Sequence, residues 1–134
     1  MCSMKVLIIE DDPLVSRMYN KSLTFEGIDV VLAPNGREGV EKAKTEQPDL
    51  ILCDIMMPEM NGLEVLDRLK ADPNIESIPV VMLTNLSGTQ DAENAKSKGA
   101  LAYMVKSEFK PKEIAVKVKA FISGSTPKQA SQQT

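Results

Sequence analysis

Five side chains in this 134-residue chain could share one chemistry: Asp11, Asp12, Asp54, Thr84 and Lys106. Each follows a short apolar run. Val6–Ile9 leads into Glu10-Asp11-Asp12, Leu50–Cys53 into Asp54, Val80–Leu83 into Thr84, and Leu101–Val105 into Lys106. Three acids brought together repel one another unless a cation sits among them. Carboxylates, water and a backbone carbonyl are the ligands Mg²⁺ prefers. A hard cation with open positions also bridges phosphate oxygens and offsets charge that builds up in phosphoryl transfer. Lys106 would supply a fixed positive charge to the same group, and Thr84 a hydroxyl donor. Asp54 is the best nucleophile: it stands alone at the end of its run, ahead of the loop Met56-Met57-Pro58-Glu59-Met60-Asn61-Gly62. Carboxylates do accept phosphoryl groups. Cys53 and Ile55 point to the other face by strand alternation. Taken singly, Asp12 before Pro13 is a helix cap, Thr84 before Asn85 a turn residue and Lys106 a solvated charge. The weight lies on the set.

Convergence of these residues requires a particular scaffold. Val6–Ile9, Ile28–Leu32, Leu50–Cys53, Val80–Leu83 and Leu101–Val105 read as strands. Short runs rich in Val, Ile and Leu are the mark of strands covered on both faces. Longer amphipathic segments separate them. The first helix opens at Asp12-Pro13, carries Leu14, Met18 and Phe25 on one face with Val15 and Ser22 beside them, and stops at Gly27. The second spans Asn35 to Glu46, with Val40 and Ala43 inward. A third follows Gly62 with Leu63, Leu66 and Leu69 on one side. The fourth spans Gly88 to Lys98, and the last Lys110 to Ile122 with Ile114, Val118, Phe121 and Ile122 inward. Five strands, each followed by a helix, predict an α/β fold with a parallel sheet between two helical layers. In such sheets the sites lie at the carboxyl ends of the strands. One domain is expected over residues 1–122, and residues 123–134 read as a disordered tail or a cut linker, having almost nothing apolar to bury.

Composition removes several alternatives. The chain has no histidine, so Ser-His-Asp and Cys-His pairs and an internal phosphohistidine are impossible. Its net charge of −3 argues against direct nucleic-acid binding by this domain, which needs a basic face. Cys2 and Cys53 form no CxxC pair, and Cys53 reads as a buried free thiol suited to a reducing compartment. No apolar run approaches the ~18 residues of a membrane span. A cytoplasmic location is expected, with no membrane partner.

The motifs Val6-Leu-Ile-Ile-Glu-Asp-Asp-Pro13, Asp54-Ile-Met-Met-Pro58 with Gly62, Val81-Met-Leu-Thr84, Gly99-Ala100 and Tyr103-Met-Val-Lys106 together resemble the receiver domain of two-component response regulators, of the chemotaxis-regulator type. The likeness covers roughly Lys5 to Ile122. It implies a flavodoxin-like, doubly wound five-stranded sheet with strand order 2-1-3-4-5. It implies Asp54 as phosphoacceptor, and Asp11, Asp12, Asp54 and the Met56 carbonyl as Mg²⁺ ligands. Thr84 and Lys106 would contact the phosphoryl group, and Tyr103 would be the aromatic that follows Thr84. The implied donor is a phosphohistidine on a sensor histidine kinase or histidine phosphotransfer protein. The implied output is an effector protein or output domain read through the fourth helix, fifth strand and fifth helix, with a homodimer as one such assembly. The domain would be a switch rather than an enzyme, catalysing only its own phosphorylation and dephosphorylation. Ser107, Asn85, Gly39 and Met56 depart from the usual residues. Ser107 replaces a proline, which leaves the Lys106–Ser107 peptide geometry open, and Asn85 and Met56 are expected to set the lifetime of the phosphorylated state.

Three rivals stand beside this expectation. A flavin carrier on the same scaffold would need hydroxyls and N–H groups after the first strand, where Glu10-Asp11-Asp12 would repel a phosphate. A phosphatase with an aspartyl intermediate would want a second acid at position 56, which is Met. A degenerate receiver acting only as a protein-binding module would lack part of the five-residue set.

Overall fold

The computed structural model describes residues 4–85 and 89–123. Strands and helices alternate as β1 (Lys5–Ile9), α1 (Pro13–Phe25), β2 (Asp29–Ala33), α2 (Gly36–Glu46), β3 (Leu50–Asp54), α3 (Gly62–Ala71), β4 (Val80–Thr84), α4 (Thr89–Ser97), β5 (Ala102–Val105) and α5 (Pro111–Ser123). A single 3-10 turn, Lys106–Glu108, joins β5 to α5. All pairings are parallel, in the order β2-β1-β3-β4-β5. This is the flavodoxin-like (βα)5 arrangement that the alternation of runs predicts. The expected boundaries differ from the observed ones by a residue or two, as at Leu101, which precedes β5 and donates its N–H to the Val80 carbonyl at 2.8 Å. Gly88, the expected start of α4, and the expected tail beyond Ser123 lie outside the described residues, as does Cys2.

Strand alternation divides the core into two layers. Leu7, Ile9, Ile51, Cys53, Val80 and Met82 face α2, α3 and α4, where they pack with Ala43, Val65, Leu66, Leu69 and Ala95. Val6, Ile8, Leu50, Leu52, Val81, Leu83 and Met104 face α1 and α5, with Tyr19, Leu23, Ile114, Ala115 and Val118. With both faces covered, β3 and β4 are buried at every residue.

The first helix corrects an expectation. Leu14, Met18 and Phe25, read as its face, are 67%, 48% and 84% exposed. The buried stripe is Ser16, Tyr19 and Leu23, at the i, i+3, i+7 spacing of one helical face. Small Ser16 admits close approach at the top of the helix, while Tyr19 and Leu23 fill the space toward α5. The outward residues are as apolar as the inward ones, so composition alone does not fix the rotation of this helix.

Two glycines of α2 have a packing role rather than a softening one. A methyl group at Gly36 would lie 2.6 Å from Val65 Cγ2, and one at Gly39 would lie 2.7 Å from Ile9 Cγ1. Their absence of side chain lets α2 sit close against α3 and β1.

Candidate functional site

Parallel strands in this register bring the carboxyl ends of β1, β3, β4 and β5 to one edge. Glu10 follows β1, Asp54 ends β3, Thr84 ends β4, and Lys106 follows β5. The loop after β1 closes at once into α1, because Asp12 caps that helix: its Oδ1 accepts from the Leu14 N–H at 2.9 Å, with Pro13 at the first helical position. The loop after β3 closes into α3, where Asn61 and Glu64 form a reciprocal capping box. Gly62 fits against the turn because it has no side chain. A methyl group there would overlap the Asp54 carbonyl oxygen and lie 2.7 Å from Ile55 Cα.

Lys106 is the hub. Its Nζ lies 2.7 Å from Glu10 Oε1 and 3.5 Å from Asp54 Oδ2. The side chains are close to sealed: 4% exposed for Glu10, 6% for Asp54 and 10% for Lys106. Asp54 Oδ1 accepts from the Met56 N–H at 3.3 Å, and Glu10 Oε2 from the Asp12 N–H at 3.2 Å. Glu10, Asp11 and Asp54 each present a carboxylate oxygen, all within 4.8 Å of one another.

This grouping departs from the sequence-based expectation at one position. Asp11 and Asp54 meet as expected. Asp12 commits its carboxylate to the α1 cap and stands outside the cluster, and Glu10 takes the third place. A signal for Glu10 was present. It keeps the face of Val6 and Ile8, while Asp-Pro is itself a cap signature, which leaves Glu10 and Asp11 as the acids free for the site.

Burial dominates the electrostatics. It raises the Glu10 carboxyl to about 7, with the Asp54 charge adding to the rise and Lys106 opposing it. Burial also raises Asp54, against the Lys106 charge and the Met56 N–H. At Lys106 burial works against the ammonium, but the hydrogen bond to Glu10 and the charges of Asp54 and Glu10 outweigh it and the net direction is up. Burial likewise raises the Cys53 thiol, which faces the opposite core layer and has no part in the site.

A pH dependence follows. A carboxyl whose folded pKa exceeds its unfolded value holds its proton more tightly when folded, so stability falls as pH rises between the two values. For Glu10 the window runs from 4.5 to about 7, and Asp54 shifts in the same direction. The raised Lys106 contributes stability that is lost only above its ordinary value of 10.5, outside that window. With divalent cations chelated, the melting temperature is therefore expected to fall from pH 5 to pH 7.5 by more in the wild type than in Glu10→Gln. Thermal melts across that range check it, and parallel curves for the two proteins would contradict it.

Thr84 is wholly buried, and by the alternation of β4 it shares a face with Val80 and Met82. Tyr103, half-buried, packs on the same layer. Both thus lie on the α3–α4 side of the sheet, Tyr103 opposite Met82 and two residues before the level of Thr84 in the β4–β5 register, while Glu10, Asp54 and Lys106 gather on the α1–α5 side. Asn85 is exposed at the rim, and Met56 is 57% exposed beside Asp54. The peptide bonds of the described residues are all trans, so the chain passes from Lys106 into its 3-10 turn without a cis Lys106–Ser107 bond.

A sequence model of the response regulator receiver domain matches residues 6–119. The chain is 38% identical over 118 residues to the DNA-binding dual master transcriptional regulator RpaA of Synechocystis, covering 88% of this chain and 48% of that protein. It is 36% identical over 116 residues to the DNA-binding response regulator MtrA of Mycolicibacterium smegmatis, covering 87% and 49%. It spans about half the length of these relatives. Among solved structures, the chemotaxis protein CheY4 of Vibrio cholerae superposes with a TM-score of 0.82 at 28% identity, over 88% of this chain and 98% of that one. A CheY-like receiver from Methanospirillum hungatei gives 0.82 at 28% identity, over 92% and 97%. With the five-strand order, the acidic cluster and the matched family all in agreement, this chain belongs to the receiver domains of two-component response regulators.

Proposed function

We propose that this receiver accepts a phosphoryl group on Asp54, and that Glu10, Asp11, Asp54 and the Met56 carbonyl hold Mg²⁺ for the purpose. The observation that carries the proposal is the contact of Lys106 with both Glu10 and Asp54, all three side chains being nearly buried. Two almost buried carboxylates and a third at the rim share one ammonium, which leaves a net negative charge. All donors are hard oxygens, the set Mg²⁺ takes. The Met56 backbone already lies against Asp54 through its N–H. When bound, the cation neutralises the acids and the phosphoryl oxygens.

The chain's own residues supply the rest. An Asp54 carboxylate oxygen attacks phosphorus in line; the new O–P bond forms as the N–P bond of a donor phosphohistidine breaks, and the imidazole leaves with the electron pair. Lys106 exchanges part of its contact with Glu10 for the incoming oxygens and offsets their charge. Thr84, buried behind the pocket, donates its hydroxyl to the phosphoryl group by moving toward Asp54. Tyr103, on the same layer, occupies the space that Thr84 leaves. The surface of α4, β5 and α5 then changes shape for an effector or output domain, a two-state equilibrium biased by one covalent group. Hydrolysis of the same bond resets it. The donor is a sensor histidine kinase or histidine phosphotransfer protein, and the domain works in the cytoplasm. Among the described residues no helix is long and apolar enough to cross a membrane.

The test is incubation with acetyl phosphate, in Mg²⁺ or in chelator, followed by intact-mass measurement. The wild type is expected to gain one phosphoryl group in Mg²⁺ and little in chelator, and Asp54→Asn to gain none in either. Adduct formation in both proteins, or in neither, would overturn the proposal. The binding-module alternative predicts no adduct.

A further inference from the structure

Two residues other than glycine hold a left-handed backbone among the described residues, Gln47 at φ 47° and Glu59 at φ 69°. Gln47 is the C-cap of α2, where that conformation is routine. Glu59 ends no helix. It lies in the loop between Asp54 and α3, and its neighbours close around it: the Met60 N–H donates to the Pro58 carbonyl at 2.7 Å. A three-residue turn with a left-handed centre is rare and strained. A residue with a Cβ makes it costlier than glycine would.

The loop is held in this shape from several sides. The Ile55 carbonyl accepts from the Met57 N–H at 3.1 Å and from the Gly62 N–H at 2.9 Å, so the segment between them is closed on itself. Met57 is buried in the core, and the Met60 sulfur lies 3.1 Å from where a Cβ on Gly36 would stand. Met56 sits ahead of the strained turn, with its N–H on Asp54 Oδ1 at 3.3 Å. Beside the turn is an open cavity of about 390 Å³, lined by Pro58, Glu59 and Met60 on one side and by Asn35, Gly36 and Arg37 on the other. Strain of this kind persists only where the surroundings impose it, and it gathers at sites that switch. Here it stands next to room in which the turn can relax.

We propose that the loop after Asp54 has two states, and that the left-handed backbone of Glu59 belongs to the metal-ready one. Relaxation of Glu59 to negative φ, into the cavity beside it, draws the Met56 backbone away from Asp54 and leaves the cation short of one ligand. Glu59 is thus a positioning residue that acts through the Met56 backbone. The apparent Mg²⁺ affinity is the intrinsic affinity reduced by the fraction of molecules in the ready state. This rests on the metal set proposed above and deepens it.

The experiment is calorimetric titration of Mg²⁺ into the full chain, with no phosphodonor present. Glu59→Gln removes the charge and keeps the backbone cost, and serves as the reference. Asparagine enters the left-handed region more readily than most residues. Glu59→Asn is therefore expected to bind Mg²⁺ about two- to fivefold more tightly than the reference, by raising the ready fraction. For a β-branched residue the same region is a true outlier, so Glu59→Val is expected to bind more weakly than the reference. If Glu59→Val is unfolded at the titration temperature, Glu59→Asn against Glu59→Gln decides. Gln47→Asn and Gln47→Val are the controls: they change the same backbone cost away from the site, so melting temperature should rise and fall with Mg²⁺ affinity unchanged. Equal affinities across the Glu59 variants would overturn the proposal. So would shifts of the same size in the Gln47 pair, since affinity would then follow global stability. Failure of the metal set has a different signature: the wild type binds no Mg²⁺ at millimolar concentration, and both proposals fall.

Discussion

Replacing Lys106 by methionine is expected to slow phosphoryl uptake by about 100- to 1000-fold, the usual loss when one preorganised electrostatic contact to a developing charge is removed. Methionine keeps the length and apolar stem of the side chain, so packing in the α1–α5 layer is largely preserved. What disappears is the charge 2.7 Å from Glu10 and 3.5 Å from Asp54. Two effects separate in this variant. The chemical step loses the cation that meets the phosphoryl oxygens. The resting protein loses the cation that makes two buried carboxylates tolerable, so they hold protons to a higher pH. Toward acid pH the variant should melt closer to the wild type, since protonation removes the carboxylate charges that Lys106 offsets. Above pH 7 it should melt lower, and millimolar Mg²⁺ should recover part of the difference by binding the folded state alone. Uptake rates and melts at two pH values check both halves. A wild-type rate in Lys106→Met would contradict the role assigned to this residue.

The second large effect is steric. Gly62→Ala is expected to destabilise the protein by about 3 kcal/mol, the upper end for overpacking, because the added methyl meets backbone rather than a flexible side chain. The atoms in its way are the Asp54 carbonyl and Ile55 Cα. For a domain of this size the loss corresponds to a fall in melting temperature of roughly 10 °C. Gly39→Ala is the comparison. It meets only the side chain of Ile9, which can turn away, and the loss should be smaller. Relief of the Gly62 overlap requires the backbone at Asp54 to shift, so phosphoryl uptake should fall with stability in Gly62→Ala and not in Gly39→Ala. Equal stability of the two variants would show that the α3 N-terminus does not press on the phosphoacceptor.

The scaffold was legible because its signals are redundant. Each strand is a compact apolar run, and Asp12-Pro13 and Gly27 mark the start and stop of the first helix by their own capping chemistry. The convergence of Asp54, Thr84 and Lys106 then follows from topology alone, since every parallel strand delivers its last residues to the same edge. Two features were not legible. The rotation of α1 is decided by which of two comparably apolar stripes fits under α5, and Leu14, Met18 and Phe25 are individually as plausible a core face as Tyr19 and Leu23. The choice between Glu10 and Asp12 turns on where β1 stops and the cap begins, a shift of two residues that consecutive acids cannot reveal by type.

These features join sequence to function in one line. Asp12 ends the β1 loop early by capping α1, which leaves Glu10 at the sheet edge facing Lys106. Gly62 brings the start of α3 tight against the Asp54 and Ile55 backbone, and the Met56 N–H meets the Asp54 carboxylate. The carboxyl that results is nearly sealed, flanked by a cation and by further acids, and raised by burial above the ordinary range.

The central claim is that Asp54 itself carries the phosphoryl group, and the most direct measurement is chemical marking of that residue. Hydroxylamine cleaves an acyl phosphate and leaves a hydroxamate on the side chain that bore it, whereas a phosphate ester on a hydroxyl survives. After acetyl phosphate and Mg²⁺, hydroxylamine treatment and peptide mass mapping should place the hydroxamate on Asp54 and on no other acid. A mark on Glu10 or Asp11, or an adduct on Thr84 that resists hydroxylamine, would contradict the account.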